Sequence, residues 1–431
     1  MCSRHEWLCG AWVFAASVAV TACWVSSNEL CCAAPFLTPE QLDKASSSDV
    51  EAAKKLLGGF GSSASVTMDG DKLTEIVIRD GARLVDEDIR LFGRLTDLTK
   101  LQILNCRALN SEMAKQLSGL KNLKILALTN TVIDDTAVEM IVKSFPNIVE
   151  LDLSSNANMS SQVLKLISEL KQLQQLSLVQ NRFNELSTRR LSKLQDLRVL
   201  DLRGNMEAGD MTLEVIADLP KLKAFKHRST AVSDFGMEQL SRNGSIENLL
   251  IQDFAISSQS GAHLAKLKKL SQLEIFRCQG FGSEGVLALK GLGLQRLTLR
   301  DLPIVDDSAL EVLKDLPKLR RLYLHENSSI SDEGLKNLNA SVALELLDIW
   351  SLPLMTDASV DVIATLPNLK ELTIRSTAVT DAAIDKLMAM PKLQSLTFKE
   401  NGSVTAAGLK KLSGKKWAKL DIGGTDSNSN E

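Results

Sequence analysis

The sequence predicts an α/β solenoid of about fifteen repeats, each 24 or 25 residues long. The stretch 319–338, LRRLYLHENSSISDEGLKNL, joins alternating leucines to leucines at helical spacing. The same pattern returns along the chain at a constant interval. Hydrophobic residues make up 44% of the chain but aromatic residues only 4%. This composition favours a leucine-filled core shared between neighbouring repeats, because a single unit of this kind cannot bury its own leucines.

Each repeat is predicted to hold one strand and one short helix. With Leu319 as offset 0, Leu322 and Leu324 alternate and therefore lie on one face of a strand. Ser331 is expected to cap the following helix, with Asp332 near its positive end. The residue at offset 0 recurs along the chain as Leu73, Leu98, Leu123, Ile148, Leu173, Leu197, Leu222, Ile246, Leu270, Leu294, Leu319, Leu344, Leu369, Leu393 and Trp417.

These offsets, with Asn327 at offset 8 and Ile330 at offset 11, match the leucine-rich repeat signature. A branched residue, then Ser/Thr-Asp, then a short helix resembles the cysteine-containing leucine-rich repeats of exported bacterial proteins and of F-box ubiquitin ligase receptors. The resemblance covers about residues 73–422. It implies a horseshoe with a parallel sheet on the concave side and helices on the convex side, and it does not imply a ligand. No F-box-like segment precedes the repeats.

Residues 1–34 are predicted to form an export leader. A basic start precedes an uncharged segment at 7–25, and small residues follow at 33–34. The residues up to Cys23 resemble a bacterial lipobox, in which this cysteine is acylated. Ordinary cleavage near 33–34 and an uncleaved anchor are the alternatives.

The remaining chain divides into three predicted parts. Residues 35–72 form an N-terminal cap with helices and a β-hairpin, and 73–424 form the solenoid. Residues 425–431 are small and polar and are expected to be disordered. No separate C-terminal cap is evident, so the last strand edge is expected to be open.

Offset 8 carries a ladder of Asn, Thr and Cys side chains that can satisfy buried turn groups. Phe254, Leu302 and Leu352 interrupt the ladder and leave the local turn geometry open. Cys106 and Cys278 also occupy this offset and are expected to be buried. They lie seven repeats apart, roughly 34 Å at about 4.8 Å per strand, which no disulfide can span.

Offsets 2, 4 and 6 are expected to face outward from the sheet. In the later repeats these positions are rich in arginine and aromatic residues, which are enriched at binding hot spots. The predicted ligand-binding patch consists of Arg203, Arg228, Phe276, Arg296, Arg300, Arg321, Tyr323, His325, Trp350 and Arg375. The alternative is that wide sheets simply carry some bulky exposed residues. In the earlier half of the sheet the outward side chains are acidic or small: Glu150, Asp152, Ser154, Ser177 and Asp201. A ligand could therefore contact both an acidic and a basic region.

The sequence predicts no catalytic residue, no metal site and no cofactor, and therefore no enzyme. His227 is at an inward offset and is expected in the core, and His325 has no Ser or Cys nucleophile arranged with it. HExxH, CxxC and Walker motifs are absent from the sequence. The Asp residues at helix starts are interpreted as helix caps rather than calcium ligands. A net charge of −3 argues against nucleic acid as a partner.

The leading hypothesis is a non-enzymatic, exported protein that presents the concave sheet to a protein partner. The alternative is a binder of acidic glycans or other polyanions at the cell envelope, and a third is an intracellular receptor of the ubiquitin-ligase type. Export would place the chain in the periplasm, on the envelope or outside the cell. Membrane attachment is expected only through the leader or a lipid on Cys23.

Overall fold

The computed structural model of the protein describes residues 46–423. They belong to one compact unit, Lys44–Glu431. The predicted leader with Cys23, the first part of the predicted cap and the predicted tail at 425–431 lie outside the described residues. None of the helices within 46–423 has the length and apolar character that a membrane span requires.

The strands of the described chain form a single sheet of sixteen, in the order in which they occur in the sequence. The first pair is antiparallel, and the other pairs are parallel. The predicted α/β solenoid with fifteen parallel strands is therefore confirmed. The strands are β1 (Ala64–Asp69), β2 (Lys72–Ile78), β3 (Lys100–Leu104), β4 (Ile125–Thr129), β5 (Glu150–Asp152), β6 (Gln175–Ser177), β7 (Val199–Asp201), β8 (Ala224–Arg228), β9 (Asn248–Gln252), β10 (Gln272–Phe276), β11 (Arg296–Arg300), β12 (Arg321–His325), β13 (Leu346–Trp350), β14 (Glu371–Arg375), β15 (Ser395–Lys399) and β16 (Lys419–Gly423).

Short helices alternate with the strands. The α-helices are α1 (Ser47–Gly58), α2 (Asp86–Gly93), α3 (Ser111–Lys115), α4 (Asp135–Ser144), α5 (Val163–Ile167), α6 (Glu185–Thr188), α7 (Asp210–Ala217), α8 (Asp234–Leu240), α9 (Ser260–Leu264), α10 (Ser283–Leu287), α11 (Asp332–Leu335), α12 (Asp357–Ala364), α13 (Ile384–Ala389) and α14 (Ala406–Leu412). The 3₁₀-helices are Gly61–Ser63, Gln116–Gly119, Arg189–Lys193, Asp307–Asp315, Lys336–Ala340 and Asp381–Ala383.

The strand register stacks the leucines of successive repeats in columns. Leu322 is paired with Leu297 on one side and Leu347 on the other. All three side chains are buried and belong to one continuous core. Each fully buried leucine contributes about 1.5–3 kcal/mol relative to an exposed one, so the columns are the main source of stability.

The turn after each strand depends on one residue in the left-handed region. Offset 7 has a positive φ in most repeats, usually without a glycine there. The turn keeps this conformation where the ladder is interrupted, because Asp253, Asp301 and Ser351 have φ values of 59°, 51° and 55°. The polar side chain at offset 8 is therefore not required for the turn.

Asparagines of the ladder bond the main chain of the preceding repeat and of their own repeat. The side chain of Asn205 is fully buried, and its Oδ1 accepts a hydrogen bond from Phe183 N at 2.9 Å. Its Nδ2 donates to Leu178 O and Leu202 O, both at 2.8 Å. Leu302 has no polar side chain of its own, and its N–H donates to Asn327 Oδ1 of the next repeat at 3.1 Å.

The aspartates at helix starts connect neighbouring repeats. Ser331 caps its own helix, as predicted, by accepting a bond from Glu333 N. Asp332, however, accepts bonds from the next repeat: from Thr356 N at 2.9 Å, from Thr356 Oγ1 at 2.6 Å and from Ser359 Oγ. Burial raises the pKa of Asp332, but these bonds outweigh it and the net pKa is lowered.

The N-terminal end of the solenoid is closed within the described chain. Helix α1 buries Val50, Ala53 and Leu57 against the core. Strand β1 pairs with β2 through a turn at Gly70, where φ is 58°. Arg83, which follows β2, donates a hydrogen bond to the carbonyl of Gly59 at the end of α1, at 2.9 Å. The hairpin and helix thus cover the edge of the first parallel strand.

Candidate functional site

The side of the sheet that carries offsets 2, 4 and 6 is called here the open face. The strand register places five predicted patch residues in one row across β10–β14: Phe276, Arg300, His325, Trp350 and Arg375. Arg296 and Arg321 are paired with each other in a second row, and Tyr323 lies between the rows on β12. The repeat length therefore brings residues that are far apart in sequence onto adjacent strands.

Arg300 is held between two aromatic rings. Its guanidinium carbon lies 4.4 Å from the Phe276 ring centroid and 5.1 Å from that of Trp350. Its Nε donates to Glu326 Oε2 at 2.9 Å. Arg375 covers another part of Trp350 at 5.2 Å. A planar guanidinium suits such stacking, and the contacts fix these side chains before any ligand arrives.

The second part of the site is a stack of edge-to-face rings. Tyr323 and His325 have centroids 5.9 Å apart, and His325 and Trp350 have centroids 5.7 Å apart. Arg296 lies over the Tyr323 ring at 4.6 Å. His325 Nε2 is 3.1 Å from Asp348 Oδ1. Tyr323, His325 and Trp350 therefore form one contiguous aromatic surface on β12 and β13.

Most cations of the predicted patch have an internal counter-ion. Arg375 makes two bonds to Glu400, at 2.7 and 2.8 Å, which lower the pKa of that carboxyl group. Asp253 accepts from Arg228 at 2.5 Å and from Arg277 at 2.7 Å. Burial raises the pKa of Asp253, but the two arginines outweigh it and lower the net pKa. The patch is thus a surface of mixed charge rather than a field of free positive charge.

Sequence reasoning missed these carboxylates and one arginine. Asp253, Glu326 and Glu400 occupy offset 7, in the left-handed conformation. Arg277 was also missed, although it stacks on Phe276 at 4.5 Å. The available signal was an acid at offset 7 one repeat after an arginine at offset 6. The arginine–aromatic cluster, as the name is used below, comprises Phe276, Arg277, Arg296, Arg300, Tyr323, His325, Trp350 and Arg375.

Three residues of the predicted patch lie outside this cluster. Arg203 turns to its own strand and binds both oxygens of Asp201, with the closest contact at 2.7 Å. Arg228 joins the cluster only indirectly, through Asp253. Arg321 is exposed, and within residues 46–423 neither it nor Arg296 has an ion-pair partner. Arg296 and Arg321 are therefore the free cations beside the aromatic surface.

A buried hydroxyl lies beneath the cluster. Thr298, at offset 4 of β11, is paired with Tyr323 in the register and is only 4% exposed. Among the described residues its Oγ1 has no hydrogen-bond partner. The side chains around it thus cover the sheet almost completely at this point.

The acidic half of the open face forms a separate depression. Asp152, Ser177 and Asp201 are paired in register across β5–β7. Burial raises the pKa of Asp152, and the charge of Asp201 adds to the shift. Asp152 Oδ1 accepts from Ser154 N at 2.9 Å. The positive charge of Arg203, which lies in this region, is already paired with Asp201.

His227 is a core residue, as predicted. It is fully buried, and its ring nitrogens lie 2.7 Å from Ala208 O and 3.2 Å from Leu202 O. Burial lowers its pKa. Within residues 46–423, no group of three or more His, Cys, Asp or Glu side chains is placed to hold a metal ion. Cys106 and Cys278 are both buried and free.

Comparison with known proteins agrees with the repeat geometry. A family model described as a leucine-rich repeat region matches residues 135–415. The chain belongs to the leucine-rich repeat proteins. The predicted resemblance is confirmed.

Three solved structures are among those similar to this chain. A chain of the yeast Rad7 and Elc1 complex is 18% identical, with a TM-score of 0.53 over 89% of this chain and 90% of that chain. An internalin from Listeria monocytogenes is 18% identical, with a TM-score of 0.46 over 84% and 98%. TLR13 in its complex with ssRNA13 is 17% identical, with a TM-score of 0.41 over 77% and 60%. At 18% identity, the likeness to the chain of the Rad7 and Elc1 complex extends to the fold and not to a partner.

Proposed function

We propose that this leucine-rich repeat protein is a non-enzymatic binding protein that holds a protein partner on the arginine–aromatic cluster of its open face. The observation that carries the proposal is Arg300, fixed between Phe276 and Trp350 and bonded to Glu326. Side chains held this way lose little entropy on binding, and Trp, Tyr and Arg are the residues that dominate protein interfaces.

Charge favours a protein over a polyanion such as an acidic glycan. Arg300 and Arg375 are each bonded to a carboxylate, so a sulfated or phosphorylated chain would have to displace Glu326 and Glu400. A protein segment needs no such displacement, because its apolar side chains can cover Trp350 and Phe276. The two free cations, Arg296 and Arg321, would then bind one carboxylate side chain of the partner through planar, bidentate contacts.

Selection of a displayed random-peptide library on the purified chain tests the proposal. Peptides enriched on the wild type should lose about thirtyfold or more in affinity on a Trp350→Ala variant, as expected for a central aromatic anchor. Leu104→Ala is the matched control, because Leu104 is a half-buried apolar residue at the same offset on β3. It should leave affinity unchanged. Equal binding to both variants and the wild type would exclude the cluster as the site.

Heparin provides the test of the polyanion alternative. If the cluster binds protein, heparin should bind weakly. Arg296→Gln should then change the affinity for heparin less than it changes the affinity for the selected peptides. Tight heparin binding that falls steeply between low and high salt, and is lost in Trp350→Ala, would favour the glycan function instead.

We also propose that the protein is exported and reaches its partner outside the cytoplasm. This proposal rests on the pattern of residues 1–34, which lie outside the described chain. Fractionation of the native host followed by intact-mass measurement distinguishes the three fates of the leader. A chain that begins at Cys23 and carries acyl groups, which disappear in Cys23→Ser, indicates lipidation. A shorter unmodified chain indicates ordinary cleavage near 33–34, and a full-length chain in the membrane fraction indicates an uncleaved anchor. A full-length chain found only in the cytosol would contradict export.

A further inference from the structure

The two ends of the described solenoid are finished differently. At the N-terminal end, β1 and α1 cover the first parallel strand. At the other end, β16 is the last strand of the sheet and pairs only with β15 among the described residues. An edge of this kind presents unpaired main-chain groups, which proteins usually cover or block.

The last core layer is only partly covered. Leu396 and Phe398 of β15 are buried at 1% and 0% exposure. Leu420 and Ile422, which follow them in register on β16, are half-exposed. Trp417 is half-exposed too, and its Nε1 donates to Leu412 O at 2.6 Å. Within the described residues, the last repeat therefore keeps an apolar strip beside the outer edge of β16.

Within residues 46–423, half of the main-chain groups of β16 have no strand to pair with. The N–H of Lys419 donates to Gln394 O and the carbonyl of Gly423 accepts from Glu400 N, so these groups face β15. Successive residues of a strand alternate in direction, so the main-chain groups of Leu420 and Ile422 face away from β15. They offer two donors and two acceptors to an added strand.

The described residues around this edge are rich in lysine. Residues 405–423 contain five lysines and one acid. The acid, Asp421, is bonded to Lys399 at 2.6 Å. Lys416 and Lys419 are exposed and have no ion-pair partner within residues 46–423. The edge therefore combines extended backbone, apolar surface and free positive charge.

We infer that β16 receives an extended, acidic segment of a partner protein as an additional strand of the sheet. Main-chain bonds would run to Leu420 and Ile422, and alternate acidic side chains would meet Lys416 and Lys419. A second copy of this chain suits the edge less, because two lysine-rich ends would repel each other. This site is separate from the open-face cluster and does not depend on the function proposed for it.

The test uses the full chain and a synthetic peptide of about eight alternating Glu and Val residues, a common strand length. Its affinity is measured by fluorescence anisotropy, and the protected amides by hydrogen exchange. We expect binding that protects Leu420 and Ile422. The double variant Lys416→Glu/Lys419→Glu should weaken it by at least about tenfold. Lys266→Glu/Lys268→Glu, a pair of exposed lysines on another repeat, is the matched control and should have no effect.

Three results would overturn the inference. The first is equal binding of a Lys–Val peptide, which would remove the role of charge. The second is peptide binding that appears only after residues 424–431 are deleted, which would make the chain's own terminus the occupant. The third is a dimer in sedimentation experiments that the Lys416→Glu/Lys419→Glu variant dissociates, which would make a second copy the occupant.

Discussion

Replacing Asn205 by alanine tests the polar ladder that links one repeat to the next. The variant removes three hydrogen bonds to buried main-chain groups: Phe183 N, Leu178 O and Leu202 O. Each buried group left unpaired costs about 1–3 kcal/mol. Two of these groups, Phe183 N and Leu178 O, lose their partner, whereas Leu202 O keeps the bond from the Asn205 main-chain N–H at 3.2 Å. We therefore expect a loss of about 2–6 kcal/mol in the free energy of unfolding, the lower end applying if water enters the space left by the side chain.

The assay is urea unfolding followed by circular dichroism, together with hydrogen exchange at the Phe183 amide. Exchange is needed because repeat arrays can unfold in parts, and then one midpoint does not describe the whole chain. Asn158→Ala is the matched control. Asn158 is exposed and its Nδ2 makes one bond of 3.2 Å to Val132 O. Its loss should cost less than about 1 kcal/mol.

Asn205→Leu separates hydrogen bonding from volume. Leu302 and Leu352 show that leucine fits the same offset without changing the turn. If the three bonds matter, leucine should destabilise nearly as much as alanine although it fills the space. A leucine variant as stable as the wild type, with the Phe183 amide still protected, would refute the reasoning.

Two further predictions concern the aspartates that join neighbouring helices. Gly334→Ala should destabilise by about 1–3 kcal/mol in urea unfolding although alanine favours helix, because a Cβ there would lie 2.5 Å from Asp307 Oδ1 and 2.8 Å from its Cα. Gly58→Ala is the control, because a Cβ at Gly58 would have no atom within 4 Å, and this variant should be neutral or stabilising. If Gly58→Ala destabilised the protein more than Gly334→Ala, the close contact with Asp307 could not be the cause. The lowered pKa of Asp332 gives stability that is present above pH 4 and is lost as pH falls through the folded-state value, since the unfolded carboxyl titrates near about 3.9. Asp332→Asn should reduce the slope of stability against pH below about pH 4, and an unchanged slope would contradict this link.

The sequence was sufficient to predict the strands and the open face because both follow from the position of each residue in the repeat. Trp350 and Arg375 lie 25 residues apart, one repeat length, so their pairing on adjacent strands could be predicted before the structure was known. The left-handed residue at offset 7 was not predicted: Asn105, Asn130 and Gly204 are residue types that favour positive φ, but Glu326 and Glu400 at the same offset are not.

The charge of the patch was not predicted either, although the spacing of acids at offset 7 and arginines at offset 6 carried a signal for it. The pattern assigns Arg300 to the open face but does not show where Glu326 points, because the side chain at offset 7 is directed by the left-handed backbone. The hydrogen bond that Asp332 accepts from the next repeat was not predicted for a similar reason. A capping pattern within one repeat predicts local bonds, whereas this carboxylate accepts from the Ser/Thr-Asp segment that follows 24 residues later.

The open-face cluster is not required for the fold, and this is the strongest physical argument that it serves binding. Thr129 occupies the offset of Trp350 on β4, and Ser154 occupies it just after the end of β5. The strands there keep the one-repeat register although the side chains at this offset are small and polar. The leucine columns behind the sheet are buried in the same way in both regions. A half-exposed tryptophan that contacts two arginines and a histidine therefore adds little to the core. Loss of ligand binding in Trp350→Ala with an unchanged urea midpoint is the combination that this reasoning requires.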